Sequence, residues 1–141
     1  MNNNMVVTFD SISENEGIAR IIAASFASKL NPTLEEIADI KTAVSEAVTN
    51  AIVHGYYQTM GQVELRLSSR ENELYIEVID AGVGIEDVER AKEPLYTTKP
   101  DEERTGMGFV FMEIFMDELR VESELGKGTH VYMKKVIGKA F

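Results

Sequence analysis

The chain has 141 residues, 44% hydrophobic and 27% charged, as in a globular protein with one core. Its apolar runs fall far short of the roughly 20 residues that span a bilayer, and MNNNMVVTFD lacks the basic-then-apolar order of a signal peptide, so a cytoplasmic protein that does not bind membranes is expected. A net charge of −10 disfavours nucleic acid, and the lack of cysteine excludes disulfides and Cys-ligated zinc.

Residues 5–9 are rich in β-formers and predict a short strand. Ser13 and Glu16 have capping-box spacing, and Ile18, Ile21, Ile22 and Phe26 give a helical stripe ending near Leu30. Asn31-Pro32 breaks that helix. Thr33 and Glu36 open a second, which carries Ile37, Ile40, Val44 and Val48 on one side and stops at Gly55. Period-two alternation follows in Val63, Leu65, Leu67 and again in Leu74, Ile76, Val78, so residues 62–70 and 74–80 read as a hairpin. A short helical piece near 88–92 precedes a polar stretch, 94–105, of the length that lids have. Phe109, Met112, Phe115, Met116 and Leu119 mark a further helix, and 120–124 and 129–135 are two last strands. This order predicts one α+β domain over residues 1–141: a two-layer sandwich with a mixed or antiparallel sheet covered on one face by helices.

Six of the ten glycines fall in three G-x-G pairs, Gly82/Gly84, Gly106/Gly108 and Gly126/Gly128. Three pairs suggest backbone wrapped around a ligand, although each alone fits a tight turn, and the last needs only the hairpin. The Walker A pattern and the dinucleotide fingerprint are absent, and the two histidines, His54 and His130, lack zinc spacing. Asp80 ends a strand; its carboxylate can cap the following loop or accept a hydrogen bond from an exocyclic amine such as adenine's. Gly106 and Gly108 precede a helix whose free N–H groups can hold phosphate oxygens. Lys99, Arg104, Thr97, Thr98 and Thr105 supply charge and hydroxyls nearby, or form a solvated loop. In SEAVTNAIVHG, Glu46, Asn50 and His54 recur every four residues along one side of a helix, with Ala43 and Ala47 at their border leaving room for a bulky ligand. A carboxylate can take a proton, and an amide oxygen suits Mg2+, but only with substrate phosphates as further ligands. Solvent exposure explains the polar row equally well.

Together these residues resemble the Bergerat-fold ATP-binding superfamily. Its N box looks like EAVTNAIVHG (46–55), its G1 box like DAGVGI (80–85) and its G2 box like TGMGF (105–109), in the family's order and over nearly the whole chain. The runs EPLYTTKP and RTGMGFVFMEIFMDEL narrow the resemblance to free-standing bacterial anti-sigma serine kinases of the sporulation type. It implies ATP/ADP and Mg2+ as cofactors and a homodimer that holds a sporulation sigma factor (sigma F) inactive. It also implies phosphorylation of a serine on an anti-anti-sigma protein. Carried over by position, Glu46 is the general base, Asn50 binds Mg2+, and Asp80 reads the adenine amine between Gly82 and Gly84. Thr97, Thr98, Lys99, Arg104, Thr105, Gly106, Met107 and Gly108 form the lid and phosphate site, and Thr129 lies near the base. His54 and Gly55 close the N box, with His54 open between packing and ligand contact. Two alternatives stand beside this reading: a nucleotide-gated sigma-binding module of the general stress type, and a bare ATPase. The N-terminal helix, with Arg20 among apolar neighbours, either covers the sheet or offers a partner or dimer contact.

Overall fold

A computed structural model describes residues 2–93 and 108–138. Strand β1 (Asn3–Asp10) leads to helix α1 (Glu14–Ala27), one 3-10 turn (Ser28–Leu30) and helix α2 (Leu34–Thr49), which continues as a π-helical turn (Asn50–Gly55). Strands β2 (Gln62–Arg70) and β3 (Glu73–Asp80) form the expected hairpin. Helices α3 (Val88–Ala91) and α4 (Gly108–Phe115) precede strands β4 (Glu118–Glu124) and β5 (Gly128–Val136). The sheet runs β1-β2-β3-β5-β4, and all four ladders are antiparallel.

Alternation divides the sheet into two faces. Leu65, Leu67, Leu74, Ile76, Val78, Val131 and Met133 are buried on one face and share a core with Ile40, Val44 and Val48 of α2 and Met112 of α4. The other face carries no helix among the described residues; polar pairs and stacked rings occupy it. His130 Nε2 lies 2.7 Å from Glu77, Lys134 lies 3.2 Å from Glu73, and Arg120 stacks over Tyr132. The architecture is the α+β sandwich that the periodicity predicts.

Several local expectations are corrected. Thr33 and Glu36 do form a reciprocal capping box, at 3.0 and 2.9 Å. Ser13 does not: its backbone is already helical, and its hydroxyl donates to Glu14. Ile18 and Ile21 are exposed, because α1 buries Ala19, Ala23, Phe26 and Ala27 instead. Alanines spaced by four let α1 lie close on α2, a seam that hydropathy does not advertise. Ala43 and Ala47 are likewise buried in the core and leave no space for a ligand. Leu119 belongs to β4, where it pairs with Met133. The last helix ends at Phe115, whose carbonyl accepts a 2.7 Å hydrogen bond from Lys135 Nζ, a cation placed at the negative end of the helix dipole.

Candidate functional site

Three cross-strand neighbours stand at one end of the helix-covered face. Asp80 of β3 pairs with Thr129 of β5, and Thr129 pairs with Ser123 of β4. Each is an inward position of its strand, in line with Val78, Val131 and Val121. Asp80 and Thr129 are each only 5% exposed. The Asp80 carboxylate accepts the N–H of Gly82 at 2.9 Å and the N–H of Thr129. These bonds do not offset the loss of water: burial lifts the Asp80 carboxyl from 3.8 to about 6. At neutral pH the result is a buried anion that can only accept hydrogen bonds.

The π-helical turn closes over this carboxylate. A methyl group on Gly55 would stand 2.7–2.9 Å from the Asp80 carboxylate atoms, so only glycine fits there. Gly82 packs against the Gly55 carbonyl, which accepts the Val83 N–H at 2.8 Å. A side chain on Gly84 would meet the Glu124 carbonyl, and one on Gly128 the Asp80 carbonyl. Of the hairpin pair, Gly126 has open space around it and Gly128 does not. The glycines therefore first let separate backbone segments converge around Asp80.

Two further residues hold this arrangement and carry no motif. The Tyr56 hydroxyl accepts the Ala81 N–H at 2.8 Å and donates to the Gln62 carbonyl at 2.7 Å, fixing the chain just after Asp80. Ser123 Oγ accepts the Ile85 N–H at 2.7 Å and lies 2.9 Å from the Gly128 carbonyl and 2.8 Å from Thr129 Oγ1. The available sequence signal for Ser123 was a polar residue at an inward strand position, after Leu119 and Val121.

Glu46 is half-buried and lines a groove of about 310 Å³ with Arg20, Ala38, Lys41, Thr42 and Ser45, between α1 and α2. Asn50, 8% exposed, follows one turn later where the π-helical turn begins. The wider turn shifts His54, half-buried, off the α-helical row that the spacing suggested. Gly108 is buried at the start of α4. Thr97, Thr98, Lys99, Arg104, Thr105, Gly106 and Met107 lie outside the described residues. Among the described residues no three acidic, His or Cys side chains cluster to hold a metal, so Mg2+ fits at Asn50 only with phosphate oxygens as further ligands. No helix among them is long and apolar enough to cross a membrane.

The architecture is that of a histidine-kinase-like ATPase: residues 12–135 match the family described as "Histidine kinase-like ATPase domain". In a crystal structure of the RsbU and RsbW domains of a Mycobacterium tuberculosis protein the fold recurs, with TM-score 0.67 and 20% identity over 96% of this chain, which spans 32% of that longer chain. Curated relatives are closer in sequence. The anti-sigma F factor of Clostridium acetobutylicum is 58% identical over 96% of this chain and 94% of its own length. That of Caldanaerobacter subterraneus is 58% identical over 98% and 96%, and that of Geobacillus kaustophilus 52% over 99% and 97%. The chain belongs to the histidine kinase-like ATPase family and, within it, to the family of the anti-sigma F factors.

Proposed function

We propose that this chain is an anti-sigma factor that binds a sporulation sigma factor, sigma F, and holds it inactive, and that it is also a protein serine kinase. Its substrate is a serine on an anti-anti-sigma protein. The observation that carries the nucleotide half of this reading is the buried Asp80 carboxylate beneath Gly55, an acceptor only 5% exposed. The sigma-binding half rests on identity of 52–58% to proteins named for that activity.

Asp80 accepts the adenine amine, Gly82 and Gly84 shape the base pocket, and Thr129 borders it. Asn50 would hold Mg2+, with phosphate oxygens as the further ligands, and the ion would neutralise phosphate charge. Gly55 lies over the Asp80 carboxylate and His54 precedes it in the same N box, with packing and ligand contact both open to it, and Thr97, Thr98, Lys99, Arg104, Thr105, Gly106, Met107 and Gly108 are assigned to the lid and phosphate site. Mg-ATP, when bound, supplies the phosphoryl group. Glu46 takes the proton of the substrate hydroxyl, and the groove beside it admits the serine-bearing segment past Arg20 and Lys41. Orientation and charge neutralisation account for most of the rate. The outward face of α1, where Ile18 and Ile21 are exposed and which Arg20 flanks at the groove, contacts the sigma factor or a second copy in a homodimer. The protein acts in the cytoplasm, away from membranes and without touching nucleic acid.

Incubation with labelled Mg-ATP, a sigma factor and a candidate anti-anti-sigma protein tests this. Phosphoserine on the partner is the expected result. Free phosphate alone makes the chain a bare ATPase. Neither, with nucleotide-dependent sigma binding, makes it a gated binding module.

A further inference from the structure

We infer that Ser123 is a positioning residue that sets the hydrogen-bond polarity of Thr129, so that the site selects a purine with an amino group at C6 over one with a carbonyl there. This rests on the reading of Asp80 as the group that faces the base. Ser123 has one hydroxyl proton and two lone pairs. The Gly128 carbonyl, 2.9 Å from its Oγ, can only accept; the Ile85 N–H, 2.7 Å away, can only donate. Those partners take the Ser123 proton and one lone pair. The remaining lone pair, 2.8 Å from Thr129 Oγ1, receives the Thr129 proton. The reverse orientation would turn Ser123 and Gly128 lone pairs on each other at 2.9 Å and lose a hydrogen bond.

Thr129 Oγ1 is thereby left with lone pairs alone. The ionised Asp80 carboxylate on the next strand is an acceptor too, and its bond from the Thr129 N–H ties the two together. Two neighbouring acceptors suit an exocyclic amine, which has two protons to give. A carbonyl at the same ring position would bring lone pairs against lone pairs. Ser123 therefore acts on selectivity through Thr129, from the far side of β5.

The test is calorimetric binding of ATP and of inosine triphosphate, which carries a carbonyl at C6, to the full chain. Wild type should prefer ATP. In Ser123→Ala the Thr129 proton is released and can turn to a C6 carbonyl. The ATP-to-inosine preference should fall on the order of tenfold, the worth of one hydrogen bond. Ser123→Thr keeps the hydroxyl and should retain the wild-type preference. Thr129→Val removes that acceptor altogether and should lower the ATP-to-inosine preference, chiefly through lost ATP affinity. Thermal melting without nucleotide reports folding; should Ser123→Ala fail to fold, Ser123→Cys, with its weaker hydrogen bonds, should give an intermediate preference. Equal weakening of both nucleotides in the folded variant, or a relaxed preference in Ser123→Thr, overturns the role of Ser123. Equal binding of the two nucleotides by wild type overturns the Asp80 reading as well, so the two failures are distinguishable.

Discussion

Burial lifts the Asp80 carboxyl from 3.8 to about 6, so as pH falls the folded chain takes up this proton before the unfolded chain does. The Asp80 contribution to stability therefore rises as pH drops from about 6 to 3.8. Above that window, the ionised form is kept at a cost of about 3 kcal/mol. Adenine binding needs that ionised form. ATP affinity should fall below pH 6 while the Asp80 part of folding stability grows, two opposite trends from one group. Asp80→Asn should weaken ATP at pH 7.5 and flatten the affinity profile. Its stability advantage over wild type should shrink between pH 6 and 4, read from urea melts beside calorimetric titrations. A wild-type affinity constant from pH 5 to 8 would remove Asp80 as the adenine acceptor. Glu46 has a different signature. Glu46→Gln keeps a side chain of the same size, so nucleotide binding should persist while phosphoserine formation drops on the order of 10²–10⁴ in single-turnover assays. Transfer at the wild-type rate would exclude Glu46 as the base.

Secondary structure was legible wherever the deciding contacts are local. The Thr33–Glu36 box lies within one turn, and the β2–β3 hairpin spans adjacent strands, so composition and period suffice. The α1 stripe misled because its buried ridge is alanine, and Leu119 fits the apolar pattern of α4 while pairing with β5 claims it for a strand. The π-helical turn was not legible at all. Its Tyr56 N–H reaches back to Ala51 at 3.0 Å, and the turn is fitted to Asp80 and Gly82, which are distant in sequence. Gly82→Ala probes that fit. Its added carbon would enter the Gly55 carbonyl, which is itself held by Val83, so stability should fall by about 3 kcal/mol or more. Gly126→Ala meets open space and pays only for its left-handed backbone, about 1–2 kcal/mol. Comparable urea midpoints for the two variants would deny that the segments around Asp80 are closely packed.

Across the whole molecule, the switch from period 3.6 to period 2 made the two layers readable, whereas the strand order β1-β2-β3-β5-β4 was not. That order brings Asp80, Thr129 and Ser123 into one row, and it depends on β3 pairing with β5, two strands far apart in the chain, beside the local β4–β5 hairpin. The row lies where the sheet core ends and the π-helical turn begins, so a ligand there touches elements from both layers and should stabilise them together. At a nucleotide concentration 100 times Kd, linkage gives about 2.7 kcal/mol, which for a chain of this size raises Tm by roughly 8 °C. Mg-ATP should produce that shift in wild type as one cooperative transition. Asp80→Asn at the same concentration should show a much smaller one. The Glu46→Gln protein should keep the full shift, because Glu46 faces the groove between α1 and α2 and is assigned to the chemistry. A Glu46→Gln variant that loses the shift along with Asp80→Asn would place Glu46 in nucleotide binding and leave the proton transfer without a base.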